Sequence, residues 1–131
     1  MAPVVEELKV VPSPADALQA FAGCDGLILF DSALQRDRLG RYSFLTADPI
    51  ATFEVERATF GDSPFESVRA AVARLNDRFS LSRLSDLPPF QGGVAGLLSY
   101  ELGGCWERIA RTGRDEFELP DAWFGIYDWV I

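Results

Sequence analysis

The chain has 131 residues, a length that suits one compact domain and leaves little room for a second. Apolar residues make up 48% of it, enough to bury a sizeable core, and this excludes disorder for most of the chain. A formal charge of -8 repels phosphate backbones and anionic lipid, so nucleic acid and membrane surfaces are poor partners, and no apolar run is long enough to span a bilayer.

The amino terminus, Met1 to Glu7, has neither the basic region nor the apolar region of a secretory signal, which points to the cytoplasm. Cys24 and Cys105 are far apart and not in a metal-ligand spacing, so they read as two reduced thiols. The chain has no histidine, which removes the commonest general base and the commonest metal ligand.

Glu6 to Val11 alternates and reads as a first short extended element. Ser13-Pro14-Ala15-Asp16 then reads as a helix start, with Ser13 as cap, Pro14 at the first helical position and Asp16 at the positive end of the dipole. Leu18, Phe21 and Ala22 are expected to face the core. Gly26 to Asp31 is a short apolar run between turn residues, predicting a buried strand. Ser32 to Gly40 reads as a polar loop, Arg41 to Thr46 as the next strand, and Asp48-Pro49 as a turn. Ile50 to Arg57 alternates, with Ala51, Phe53 and Val55 on one side, as a half-solvated antiparallel strand does. Thr59-Phe60 with Gly61-Asp62 reads as a hairpin partner or a turn.

Ser63-Pro64-Phe65-Glu66 has the form of a capping box. Phe65, Val68, Val72, Leu75 and Phe79 follow at steps of three and four, a single apolar stripe along a helix. Ser80 to Phe90 reads as a loop. Gly92 to Tyr100 is an apolar strand whose glycines imply a bulge or a close backbone approach. Glu101 to Arg111 is expected to hold a short helix with Leu102 and Ile109 inward, and Arg111 to Glu118 a charged loop. Trp123 to Ile131 reads as a strand with Trp123, Tyr127, Trp129 and Ile131 on alternate positions. The chain stops inside that apolar stretch without a cap or polar tail, so a piece of a longer protein is expected.

The glycine-rich stretch matches neither a dinucleotide fingerprint nor a phosphate loop, and no lysine follows it. Asp31-Ser32, where a strand leaves the core, either presents a carboxylate and a hydroxyl to a ligand or forms a local turn. Arg41 either grips a carboxylate by a two-point contact or is a solvated strand-end arginine. Glu101 and Glu107 read as helix surface charges, and no serine has a histidine base.

Three ordered blocks resemble those of chorismate-utilising synthase large subunits, the family of aminodeoxychorismate synthase component I and anthranilate synthase component I. They are Leu29-Phe30-Asp31-Ser32-Ala33 with Gly40-Arg41-Tyr42-Ser43-Phe44-Leu45 and Ala47-Asp48-Pro49, then Pro89 to Leu102, then Leu119-Pro120-Asp121-Ala122-Trp123 with Tyr127-Asp128. Asp-Ser-Ala after the first strand and Leu-Ser-Tyr-Glu-Leu after the glycines resemble more closely aminodeoxychorismate synthase, which aminates chorismate for para-aminobenzoate and folate synthesis. Anthranilate synthase of tryptophan synthesis is the runner-up. A free-standing small-molecule-binding domain without enzymatic activity is the competing class.

The resemblance implies that residues 1–131 are an amino-terminal domain, cut before a carboxy-terminal chorismate-binding domain that holds Mg2+ and the catalytic groups. It implies a glutamine amidotransferase partner delivering ammonia. It carries over no catalytic residue, no metal ligand and no cofactor to this stretch. It does imply part of a tryptophan pocket, inhibitory or structural, lined by Asp31, Ser32, Arg41, Tyr42 and Ser43. The expected fold is α+β, a mostly antiparallel sheet with helices packed on it. An apolar patch for the other domain is expected on the glycine-rich strand and on Trp123 to Ile131.

Overall fold

The computed structural model describes residues 4–34, 40–79, 84–111, 113 and 115–131. Its elements in chain order are α1 (Pro14–Ala20), β1 (Ile28–Phe30), β2 (Phe44–Thr46), β3 (Ala51–Val55), α2 (Glu66–Phe79), β4 (Gly93–Leu98), a 3-10 turn (Tyr100–Cys105) and β5 (Ala122–Tyr127). They form two antiparallel sheets, β1-β2 and β3-β5-β4, with helices packed alongside, so the fold is α+β. The loops expected over 35–39 and 80–83, and residues 112 and 114 of the charged loop, lie outside the described residues.

The last strand organises the molecule. β5 lies between β3 and β4, with Phe53 opposite Phe124 and Gly96 opposite Phe124 on its two sides. Residues directly opposite one another project to the same face, so Phe53, Val55, Ala122 and Phe124 share one. That face meets Ala58, Val68, Leu102 and Cys105 to form the core. Phe65, just before α2, stacks on Trp106 at 5.8 Å and meets Phe124 at a tilt at 5.7 Å.

β5 is shorter than the stretch Trp123 to Ile131. It ends at Tyr127, and the chain then crosses to the smaller sheet, where Ile131 and Leu45 exchange both backbone hydrogen bonds at 2.9 Å. Thr46, almost fully buried, donates its hydroxyl to the carbonyl of Trp129 at 2.7 Å. One chain segment thus belongs to both sheets, and the expected exposed patch on Trp123 to Ile131 is absent because that strand is central and mostly buried. The glycine-rich strand does keep its apolar exposure: β4 is an edge strand with Val94, Leu97 and Leu98 open to solvent.

Gly96 shows why that strand is glycine-rich. A Cβ there would run into the carbonyl oxygen of Trp123 and the Cα of Phe124. This is the close backbone approach that the glycines imply. Gly92 and Gly93 carry φ of 95° and 117°, which no side-chain-bearing residue adopts without strain.

Other expectations change. Val4 to Val11 is exposed and forms no strand, since alternation without a partner edge satisfies no backbone group. Ser13 caps α1, its hydroxyl accepting the Asp16 N–H at 3.2 Å. Ala17, not Leu18 or Ala22, is the buried residue of that helix. Ala17 and Phe21 are one turn apart, and the stacking of Phe21 on Trp129 at 5.4 Å sets the inward face. β1 is half-buried rather than buried, because it belongs to a two-stranded sheet with one open side.

α2 begins at Glu66, later than the capping box predicts, and Ser63 contributes its backbone carbonyl to the Glu66 N–H at 3.2 Å. Of its stripe, Val68 is buried and Val72 and Leu75 are half-buried. Thr59 to Asp62 is a turn, closed by Asp62, which accepts the Thr59 N–H at 2.9 Å through its side chain. The helix expected over Glu101 to Arg111 is the 3-10 turn, which buries Leu102 and Cys105 and leaves Ile109 half-buried beyond its end.

The charged loop is anchored where the sequence offers no local signal. Arg111 reaches back to Asp121 in an ion pair and donates to the Ala58 carbonyl at 3.3 Å. Asp121 is buried and also accepts the Ala58 N–H. Burial pushes its carboxyl up, but the hydrogen bonds from Arg111 and Ala58 outweigh that and hold it below the usual carboxylate range.

Candidate functional site

The two sheets leave a cleft between β1 and β4. One recess there, about 330 Å³, is bordered by Gly26, Ile28, Leu97 and Trp123. A larger one, about 620 Å³ and the cleft meant below, opens between Phe30, Phe44, Phe90 and Ala95, with Asp31, Ser32 and Tyr42 at its rim.

The aromatic wall arises from alternation and from one anchored loop. Phe30 and Phe44 are directly paired across β1 and β2 and therefore project to the same face. Phe90 meets both rings edge-on, at 6.3 Å from Phe30 and 5.8 Å from Phe44. Its position is held by Gln91, whose amide donates to the Leu84 carbonyl at 2.8 Å and to the Pro88 carbonyl at 3.0 Å while accepting the Leu84 N–H at 3.0 Å. Edge-to-face rings of this kind present a flat apolar surface suited to another aromatic body.

The polar rim is built where the β1-β2 ladder stops. Beyond Phe30 and Phe44 the strands separate, and side chains replace backbone pairing. The Ser32 hydroxyl donates to the Tyr42 carbonyl at 2.6 Å. The Ser32 N–H donates to the Ser43 hydroxyl at 3.1 Å, and that hydroxyl donates to Asp31 Oδ1 at 2.9 Å. This is why β2 begins at Phe44 and not at Arg41 as expected.

The five residues singled out from the sequence therefore separate into two groups. Asp31, Ser32 and Tyr42 border the cleft. Ser43 stands behind them, engaged with Asp31 and Ser32, outside the lining. Arg41 is exposed and lies over the Tyr42 ring, its guanidinium carbon 5.2 Å from the centroid, also outside the lining. Sequence reasoning missed Phe30, Phe44, Phe90, Val94 and Ala95. Phe30 and Phe44 had a signal in strand alternation; Phe90 had none, because a loop aromatic carries no periodicity.

Among the described residues no group of three or more histidine, cysteine or acidic side chains is arranged to hold a metal ion. Both cysteines are free thiols, and burial pushes the Cys105 thiol up, away from the reactive thiolate. No helix among the described residues is long and apolar enough to cross a membrane. The site offers shape, aromatic surface and one carboxylate, which are means of binding.

No family model matches the chain. It is 31% identical over 102 residues to aminodeoxychorismate synthase component 1 of Escherichia coli, covering 70% of this chain and 22% of that protein. It is 29% identical over 102 residues to aminodeoxychorismate synthase component 1 of Bacillus subtilis, covering 72% of this chain and 22% of that protein. It is 32% identical over 95 residues to anthranilate synthase component 1 of Thermus thermophilus, covering 70% of this chain and 21% of that protein. The chain thus spans about a fifth of the length of these curated relatives.

Proposed function

Since the chain belongs with the component 1 proteins of aminodeoxychorismate and anthranilate synthase, we propose that it is the non-catalytic amino-terminal domain of an aminodeoxychorismate synthase component 1 and holds an aromatic amino acid, tryptophan, in the cleft between β1 and β4. The observation that carries this reading is the cleft itself, three phenylalanine rings beside the polar rim of Asp31, Ser32 and Tyr42. An indole fits the aromatic wall, and the polar end of the amino acid meets the rim.

The parent enzyme aminates chorismate to 4-amino-4-deoxychorismate. Its Mg2+ and its acid and base groups belong to a carboxy-terminal chorismate-binding domain, and its ammonia comes from a glutamine amidotransferase in the cytoplasm. Asp31-Ser32-Ala33 and Leu98 to Leu102 favour this product over anthranilate. The second reading, anthranilate synthase, is favoured by the identity to the Thermus thermophilus protein. Incubating the natural-length protein with chorismate, Mg2+ and ammonia and identifying the product by mass separates the two. Formation of anthranilate overturns the first reading, and no amination at all favours a binding domain without an enzyme. The cleft is open along one side, so residues 1–131 alone are expected to bind tryptophan more weakly than micromolar; calorimetry showing micromolar affinity contradicts the half-site reading.

A further inference from the structure

We infer that Ser43 is a positioning residue that makes the Asp31-Ser32 corner select an ammonium group over a carboxylate, without itself touching the ligand. The inference rests on the reading of the cleft as an aromatic ligand site.

Most donors at the corner are already committed. Ser43 uses its hydroxyl proton on Asp31 Oδ1 and accepts the Ser32 N–H, so it satisfies both neighbours at once. The Ser32 hydroxyl has its proton committed to the Tyr42 carbonyl. The Ser32 N–H, the backbone donor that faces Ser43, is closed off. What the side chains of the corner retain for a ligand is the lone pairs of the Ser32 hydroxyl and the second oxygen of Asp31, all acceptors.

Charge points the same way. Asp31 is the charged side chain among those lining the cleft. Arg41, the nearest cation identified at the site, lies over the Tyr42 ring and outside the lining. Tyr42 borders the cleft and carries a hydroxyl that can donate to a carboxylate on a zwitterionic ligand. A ligand with an aromatic body and a lone carboxylate meets repulsion from Asp31 and finds the Ser32 and Ser43 hydroxyl protons already committed. Removing the Ser43 hydroxyl weakens this preference: it frees the Ser32 N–H as a donor and releases Asp31 from its fixed position.

The test uses the natural-length protein and two probes of similar size, tryptamine and indole-3-propionate, measured by calorimetry. Tryptamine is expected to bind about tenfold more tightly, the ratio that a single partly solvated charge contact supports. Ser43→Ala is expected to lower the ratio clearly without abolishing it, since the Asp31 charge remains, and Ser43→Thr, which keeps the hydroxyl, to restore it. Amide hydrogen exchange at Ser32, read by NMR without any ligand, is expected to quicken in Ser43→Ala and to stay slow in Ser43→Thr. Equal or tighter binding of indole-3-propionate by the unaltered protein overturns the inference while leaving the aromatic cleft standing. Loss of both probes in step in Ser43→Ala, with the ratio kept, also overturns it and marks Ser43 as merely structural. Binding of neither probe at millimolar concentration overturns the cleft reading itself, and the Ser32 exchange rates then report on the hydrogen-bonded corner alone.

Discussion

Tyr127 donates its hydroxyl to the carbonyl oxygen of Gly26 at 2.6 Å, joining the end of β5 to the approach to β1 across 101 positions of sequence. The ring lies over Gly125, where a Cβ would be 2.7 Å from it, and Gly26 has a φ of 56° that brings its carbonyl into place. With the Leu45–Ile131 pairing and the Thr46–Trp129 hydrogen bond, this bond helps hold the small sheet, and hence the cleft, against the large one.

Tyr127→Phe is expected to cost about 1–2 kcal/mol, since it removes one hydrogen bond and leaves a half-buried carbonyl without that partner. Urea denaturation at neutral pH measures it. The pH dependence has a definite sign. Burial raises the Tyr127 pKa above its ordinary value, so its contribution is complete below the unfolded pKa near 10 and is lost as pH rises through the folded value. The unaltered protein should lose stability more steeply than Tyr127→Phe above about pH 10.

Asp121→Ala is expected to cost about 2–4 kcal/mol, because it strands Arg111 and the buried Ala58 N–H together; the partial exposure of Arg111 keeps the figure below that of a fully buried pair. The folded Asp121 carboxyl is depressed, so its stabilisation is present above the unfolded pKa near 4 and is lost as pH falls through the folded value. Asp121→Asn, which can still accept the Ala58 N–H, should be less damaging than alanine at pH 7 and should flatten the acid limb of the stability profile. Thermal melts at pH 7, 4 and 2.5 check both statements.

Gly96→Ala is expected to destabilise by about 3 kcal/mol or more, because the new methyl meets the backbone of the central strand and neither side can yield. Gly93→Ala has open space around it and only its φ of 117° against it, so a cost of about 1–3 kcal/mol is expected. Comparing the two melting temperatures separates crowding from backbone strain.

β4 is an uncharged edge strand with Leu98 about half exposed, the kind of edge that pairs with another chain. The 131-residue chain is expected to self-associate with rising concentration, and Leu98→Lys to suppress this with little effect on stability. Light scattering across a dilution series checks it; concentration-independent monomers of the unaltered chain would count against an adhesive edge.

Local chemistry determined much of this protein. The cap and proline of α1, the alternation of β3 and the crowding at Gly96 are short-range statements written in a few neighbouring residues, and each is found in the structure. Asp31, Ser32 and Tyr42, which belong to the first of the ordered blocks, border the cleft. Tertiary structure decided the rest. That β5 would be central, that its tail would cross to β2, that Arg111 would seek Asp121 and Ala58, and that Phe90 would close the aromatic wall all depend on partners distant in sequence. Which of the five residues border the cleft was decided there too, because only the meeting of the two strand ends determines that the Ser43 hydroxyl faces Asp31 and Ser32 instead of the cleft. Periodicity reports which face of an element is apolar; it carries no information about which other element covers that face.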